Sequence, residues 1–295
     1  MGNEWKKDEW KKDERKKKKN IKTFNDTKKL YGNLLFLRKS IMDSMAGQKL
    51  FKEGESYGFS KTHDTAQDAE VIVSGKRSLE AAMTYARQGK KVCVLNFASA
   101  TNPGGGVVDG SSAQEESICR CSTLYANLND PMLMDRFYKP HKEAGNPLFN
   151  DDCIYTPGVT VFKTDASVPE LMPEEDWYKV NIITCAAPNL RKEPSRYEKF
   201  HFCRGAADVT AEQLAILHKS RIRRIFEIAA YGRNEVLILG AFGCGAFRNP
   251  PEIVAGVFRE VQEEYKNAFE TIEYAIYHTD KDVFNYKIFQ KKLLH

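Results

Sequence analysis

From Thr27 to Met45 apolar residues recur at three- and four-residue steps (Leu30, Leu34, Leu35, Leu37, Ile41), which predicts a helix that Gly47 stops. The stretch 48–68 is polar and has no clear period. Beyond it, short apolar runs alternate with helical periods. Strands are predicted at 69–75, 91–97, 152–156, 159–163, 180–185, 235–240 and 272–277. Helices are predicted at 78–88, 113–128, 132–138, 211–232, 251–265 and 283–293. Ser78 is the expected N-cap of the first of these, Pro251 suits a first helical turn, and Pro157-Gly158 is read as a turn between two strands. The run 91–97 is apolar on both faces through most of its length, as in a central strand covered from both sides. Alternating strands and helices give an α/β layer fold, in which ligands bind beyond the strand carboxyl ends. The charged segment 190–203, which contains a proline, is long for a connection and suits a lid or rim.

Charge changes this picture at one end only. The chain carries a net charge of +5, of which residues 1–19 supply most through eight Lys and one Arg against five acids. The body is close to neutral and offers no electrostatic case for nucleic-acid binding. The N-terminal segment repeats as Glu4–Asp8, Glu9–Asp13 and Glu14–Lys18. A five-residue period matches neither helix nor strand, and three copies are too few for a solenoid. Residues 1–22 are therefore expected to be a disordered basic tail, residues 23–47 a helical extension packed on the core, and residues 48–295 the main domain. The alternative for the tail is an arm for nucleic acid or another polymer, since a basic tail also attracts a polyanionic substrate. A hydrophobic content of 42% supports a sizeable core, and no apolar run approaches the roughly 20 residues that span a bilayer. A charged N-terminus without an apolar segment argues against a signal peptide. Seven scattered cysteines fit a reducing compartment, so a cytoplasmic location is expected.

The candidate chemistry centres on Asn102–Ser117. Gly104, Gly105 and Gly106 remove every Cβ from a turn after a strand, so amides can approach an anion such as a diphosphate. Gln114, Glu115 and Glu116 follow, placing two adjacent carboxylates beside the cradle. A plainer reading exists for one of them: Ser112-x-x-Glu115 matches a capping box. Glu116 is left unexplained by that cap. A second glycine turn, Gly243-Cys244-Gly245-Ala246, also follows a strand and precedes a helix, the setting that favours phosphate. Two such loops in one α/β domain point to a shared diphosphate crevice. Cys244 between Phe242 and Phe247 reads as a small buried residue instead of a nucleophile. Cys119-x-Cys121 with scattered His is not a zinc spacing, and neither a metal nor a cofactor is called for.

Pro-Gly-Gly-Gly, the spacer 107–113 and Gln-Glu-Glu together resemble the signature of poly(ADP-ribose) glycohydrolases. The surrounding segments 95–99, 110–114, 121–125, 184–189 and 240–247 resemble the microbial type, and the likeness extends over about 71–277. The resemblance implies a macrodomain-like three-layer fold, a mixed sheet flanked by helices, with ADP-ribose in a crevice at the strand ends. It implies that Glu116 is the catalytic acid/base and that Glu115 orients the distal ribose. Asn102 would contact that ribose, Gly104–Gly106 would pack against ribose and diphosphate, Gln114 would line the site, and Gly243–Ala246 would form the second phosphate loop with Phe247 stacking nearby. The implied substrate is poly(ADP-ribose), attacked from the chain end, with ADP-ribose as product. The alternatives are removal of mono-ADP-ribose from a protein or nucleic acid acceptor, or a non-catalytic ADP-ribose-binding macrodomain; an intact acid pair argues against the latter.

Overall fold

The computed structural model describes residues 2–55, 67–192, 209–280 and 282–294. Most of the expected lid, residues 193–203, lies outside the described residues. Seven described strands form one mixed sheet: β1 (Lys49–Phe51), β2 (Glu70–Ser74), β3 (Val92–Phe97), β4 (Cys153–Val161), β5 (Tyr178–Cys185), β6 (Val236–Leu239) and β7 (Thr271–Ala275). Their order is β1-β4-β5-β3-β6-β7-β2. The pairs β1/β4 and β4/β5 are antiparallel, and those from β5 through β3, β6 and β7 to β2 are parallel. After β3 the chain runs to the β4–β5 side and then crosses back to β6. The sheet therefore has a topological switch at β3, where crevices form above the carboxyl ends.

Side-chain alternation assigns the two faces. Cys93 and Leu95 of β3, Ile183 of β5 and Leu237 of β6 point to one core. There they meet α8 (Ala211–Tyr231), α9 (Pro251–Glu264) and α10 (Phe284–Leu294) through Ile222, Phe226, Val254, Phe258 and Phe289. Val92, Val94, Ile182 and Ile238 point the other way, toward α3 (Ser78–Ala86), α4 (Gln114–Cys121) and α5 (Leu124–Leu128). Helices thus cover both faces, giving the expected three-layer fold.

Three expectations need correction. Pro157-Gly158 does not separate two strands. It forms a bulge inside β4, where Thr156 pairs Ile182 but Val159 pairs Val180, one residue extra on the bulged strand. The insertion switches parity, so Ile154 and Val159 face the same core. The helix expected over 113–128 is broken at Ser122-Thr123. The Ser122 hydroxyl donates to the Ile118 carbonyl, and the Thr123 amide turns to the Thr160 carbonyl of β4. The third concerns the basic segment, which is helical: α1 spans Gly2–Asn33 and α2 spans Leu35–Gly47.

Helix α1 is held by its later half. Asn20, Phe24 and Thr27, spaced for one helical face, are buried. Asn20 Nδ2 donates to the Gly110 carbonyl at 2.9 Å, and Thr27 Oγ1 donates to the Arg120 carbonyl at 2.6 Å. Lys163 Nζ donates to Thr27 Oγ1 at 2.8 Å, and Phe24 packs edge-on against Tyr125. Once these contacts nucleate a helix, the Lys-, Glu- and Arg-rich residues before them propagate it at little cost. Three further helical segments, α6 (Pro131–Leu133), a π-turn over Met134–Tyr138 and α7 (Lys139–Ala144), carry the chain to β4. Among the described residues no helix is long and apolar enough to cross a membrane.

Candidate active site

The acid pair opens α4 beneath the turn that follows β3. The capping box read from Ser112 is not formed: the N-cap is Ala113, with no side-chain cap. Glu115 instead reaches back to the strand end. Its Oε1 accepts from Asn96 Nδ2 at 3.2 Å and its Oε2 from the Ser99 amide at 2.7 Å. Glu116 Oε1 accepts from the Gly106 amide at 2.9 Å. Glu116 Oε2 is buried and has no hydrogen-bond partner among the described residues.

The glycine turn serves this pair. Gly105 has φ +58, and a Cβ there would lie 2.6 Å from Glu116 Oε1 and 3.0 Å from Glu115 Oε2. The Gly105 amide closes the turn on the Asn102 carbonyl, and the Gly106 amide holds Glu116. Two of the three amides expected to face a diphosphate, those of Gly105 and Gly106, are thus committed inside the protein. The anion in this cradle is the chain's own carboxylate pair.

The second loop differs. The amides of Gly245, Ala246 and Phe247 have no hydrogen-bond partner among the described residues, and Gly245 and Ala246 are exposed. A Cβ on Gly245 would meet nothing within 4 Å. Open amides on an accessible turn can receive an anion. Helix α9 adds less than expected, because Phe247–Pro250 intervene and Pro250 and Pro251 have no N–H to offer. Phe247 is half-buried, its ring centroid 6.2 Å from that of Phe149. Cys244 Sγ lies near the Phe242 carbonyl, and burial raises its thiol to about 12, which makes it a poor nucleophile. Asn102 is exposed at the rim, its Nδ2 donating to Thr101 Oγ1.

Gln114 acts as a fastener. Its Oε1 accepts from the Phe97 amide at 2.8 Å, and its Nε2 donates to the Leu95 carbonyl and Ser78 Oγ. The carboxamide is spent within the protein and welds α4 to the end of β3. Ser78, expected to cap α3, accepts that bond, while Asp165 Oδ2 accepts from the Leu79 amide and Glu80 from the Arg77 amide at that helix start. Asp165 also accepts from Ser117 Oγ.

Electrostatics favour one proton on the pair. Burial, then the neighbouring Glu116, pushes Glu115 well above the ordinary carboxyl range, and burial raises Glu116 despite the Gly106 amide. Two carboxylates this close in a dry pocket do not both ionise at neutral pH. Both Glu115 oxygens accept N–H bonds, which favours its anion. The unpartnered Oε2 of Glu116 is the oxygen of the pair with no competing donor, and so has room for a proton. A stability signature follows. Above the ordinary carboxyl value of 4.5 the unfolded chain releases the Glu116 proton while the folded state keeps it. The associated stability is full below that value and lost as pH rises toward the raised one. Glu116→Gln removes the loss, so its melting temperature should match wild type near pH 4 and exceed it at pH 8, by about 2–4 °C per kcal/mol recovered. Thermal melts across pH read this directly, and equal melting temperatures at pH 8 would contradict it.

Comparison with known proteins identifies the family. Residues 20–164 match the family profile "Microbial-type PARG, catalytic domain", PARG being poly(ADP-ribose) glycohydrolase. The Deinococcus radiodurans poly(ADP-ribose) glycohydrolase in complex with ADP-ribose is 31% identical, with 86% of this chain and 96% of that chain covered at a TM-score of 0.71. This chain belongs to the microbial-type poly(ADP-ribose) glycohydrolase family. The Thermomonospora curvata glycohydrolase is 29% identical, with 86% of this chain and 88% of that chain covered at a TM-score of 0.73. Its complex with the inhibitor ADP-HPD is also similar, at 28% identity, 86% and 88% coverage and a TM-score of 0.70. Comparison with curated proteins finds no match.

Within this glycohydrolase, several residues that shape the site were not singled out from the sequence. Asn96 and Ser99 hold Glu115, and Asp165 ties α4 to α3 through Ser117 and Leu79. Asn249 joins the second loop to the exit of β5: its Nδ2 donates to the Pro188 and Gly243 carbonyls, and its Oδ1 accepts from buried His218. Burial lowers His218 to about 4, so it is neutral and donates from Nε2. None of these residues stands in a periodic motif. Only the polar Asn96 inside an otherwise apolar strand was a visible signal.

Proposed function

We propose that this chain hydrolyses the ribose–ribose O-glycosidic bonds of poly(ADP-ribose), from the chain end, releasing ADP-ribose, with Glu116 as the acid/base. The carrying observation is the buried, unpartnered Oε2 of Glu116 beside an Oε1 fixed by the Gly106 amide. Cleavage builds an oxocarbenium-like ribose and a departing alkoxide, which needs a proton donor at the leaving oxygen. Glu116 Oε2 gives that proton as the C–O bond breaks. A water then attacks the anomeric carbon, and the Glu116 carboxylate takes its proton, returning the site to its starting state. Glu115, anionic and held by Asn96 and Ser99, accepts from ribose hydroxyls and favours the positive charge that develops on the ring. Residues Gly245–Phe247 receive the diphosphate through open amides. Phe247 lies along the ribose, Asn102 meets it at the rim, and Gly105 lets it approach the acids.

The test is incubation with labelled poly(ADP-ribose) and, separately, with mono-ADP-ribosylated protein. Free ADP-ribose should appear from the first and not from the second. Release from the second alone would make the chain a mono-ADP-ribosyl hydrolase, and binding with no release from either would make it a reader.

A further inference from the structure

The basic segment remains unused by the chemistry above, and residues 1–19 lie outside the matched family profile. Helix α1 gives its charges an order that the five-residue repeat conceals. At 100° per residue the docked face of α1 is set by Asn20, Phe24 and Thr27. Lys11, Arg15, Lys18, Lys22 and Lys29 fall on the opposite face, and all five are exposed. The other exposed position in that row is the neutral Asn25. Of the acids, Asp13 lies on the docked side, while Glu14, paired with Lys17, and Asp26, near Lys163, border the row on its two edges. The outcome is a row of five cations about 27 Å long with no carboxylate inside it.

This row is rooted at the active site. The Lys17 carbonyl lies 2.6 Å from where a Cβ of Gly110 would stand, and Asn20 Nδ2 donates to the Gly110 carbonyl. Gly110 belongs to the spacer between the glycine turn and the acid pair. Arg120 Nη1 binds the next carbonyl of that spacer, Ser111, while its own carbonyl accepts from Thr27 of α1. The cationic row and the acid pair are thus parts of one braced unit.

We propose that the outer face of α1 is a second binding site for the substrate polymer, a cationic track that engages poly(ADP-ribose) units lying beyond the one being cleaved. The inference rests on the hydrolytic reading above. Each repeat unit carries a diphosphate, so a polymer longer than the crevice brings a series of charges that a row of cations can neutralise with release of counterions. Such a row contacts phosphates and reads no bases. Trp10, 64% exposed, stands about 100° round the helix from Lys11 and adds an aromatic face beside the row on which adenine can stack. Rooting at the catalytic spacer favours the substrate polymer over a nucleic acid, which would have no reason to be held beside the acid pair.

The test uses the full chain with Lys11→Gln, Arg15→Gln, Lys18→Gln and Lys22→Gln combined, since Gln keeps helix propensity while removing charge. In a Glu116→Gln background, anisotropy with end-labelled long poly(ADP-ribose) should show about a tenfold weaker Kd at low salt, with the log Kd against log salt slope reduced by roughly 3 for four lost phosphate contacts. In the active chain, KM for long polymer should rise, while kcat/KM on a two-unit oligomer too short to reach α1 stays unchanged. Unchanged Kd and slope would overturn the proposal, as would an equal loss on the two-unit oligomer, which would mark a structural defect. A single-stranded oligonucleotide of equal charge that competes as well as poly(ADP-ribose) would overturn it in favour of nucleic acid. Failure of the hydrolytic reading is separately visible, because the anisotropy arms need no turnover.

Discussion

Glu116→Gln should lower kcat on poly(ADP-ribose) by about 10³–10⁴-fold and leave ADP-ribose affinity nearly unchanged. The substitution is isosteric, and the amide oxygen can still accept from Gly106. What disappears is a transferable proton at Oε2 in the first half of the reaction and a base there in the second. A group that acts only in the transition state changes kcat and kcat/KM together. Isothermal titration with ADP-ribose and single-turnover hydrolysis separate the two effects. The pH profile provides a further reading. Burial holds the Glu116 proton above the ordinary carboxyl range, so the alkaline limb of kcat should lie above 4.5, where an exposed carboxyl would already be ionised. Glu115→Gln should behave differently. It removes an anion that holds Asn96 and the Ser99 amide, so KM should rise as well as kcat fall. Turnover by Glu116→Gln within tenfold of wild type would remove Glu116 from the acid/base role.

What the sequence made legible was whatever depended on local pattern. Strands β3 and β6 were readable because both faces are largely apolar, β5 and β7 because short apolar runs stand between polar connections, and the acid pair because three glycines, a spacer and Gln-Glu-Glu coincide. What stayed hidden was set by distant partners. Ser112-x-x-Glu115 satisfies the spacing of a capping box, but Glu115 has better donors at Asn96 and Ser99 on the preceding strand and turn. Residues 113–128 have helical periodicity, but Thr123 finds the Thr160 carbonyl of β4 and the helix breaks. Pro157-Gly158 is strong turn chemistry that pairing on both sides converts to a bulge. The basic repeat has no fold-determining period, and its helix depends on Asn20, Phe24 and Thr27 finding Gly110, Tyr125 and Arg120. In each case a contact far along the chain outweighed a sound local preference.

The glycine turn admits the sharpest mutational test. Gly105→Ala should cut kcat by about 10²–10³-fold, more than its effect on stability can account for. Two costs add at this position. With φ +58 an L-residue carries roughly 1–2 kcal/mol of backbone strain. The new Cβ would also stand 2.6 Å from Glu116 Oε1 and 3.0 Å from Glu115 Oε2, closer than van der Waals contact allows. Either the Glu116 carboxyl leaves the Gly106 amide or the turn opens, and both displace the proton donor. Gly89→Ala isolates the first cost. Gly89 has φ +80, is exposed between α3 and β3, and a Cβ there would meet nothing within 4 Å. It should lose stability of about 1–2 kcal/mol by urea denaturation and keep full activity. Gly105→Ala should lose a similar or larger amount of stability and most of its turnover under conditions where it remains folded. If Gly105→Ala instead turned over like Gly89→Ala, the turn would be a steric necessity of the chain path alone, and the position of the acid pair would have to be set by Asn96, Ser99 and Gln114 without it.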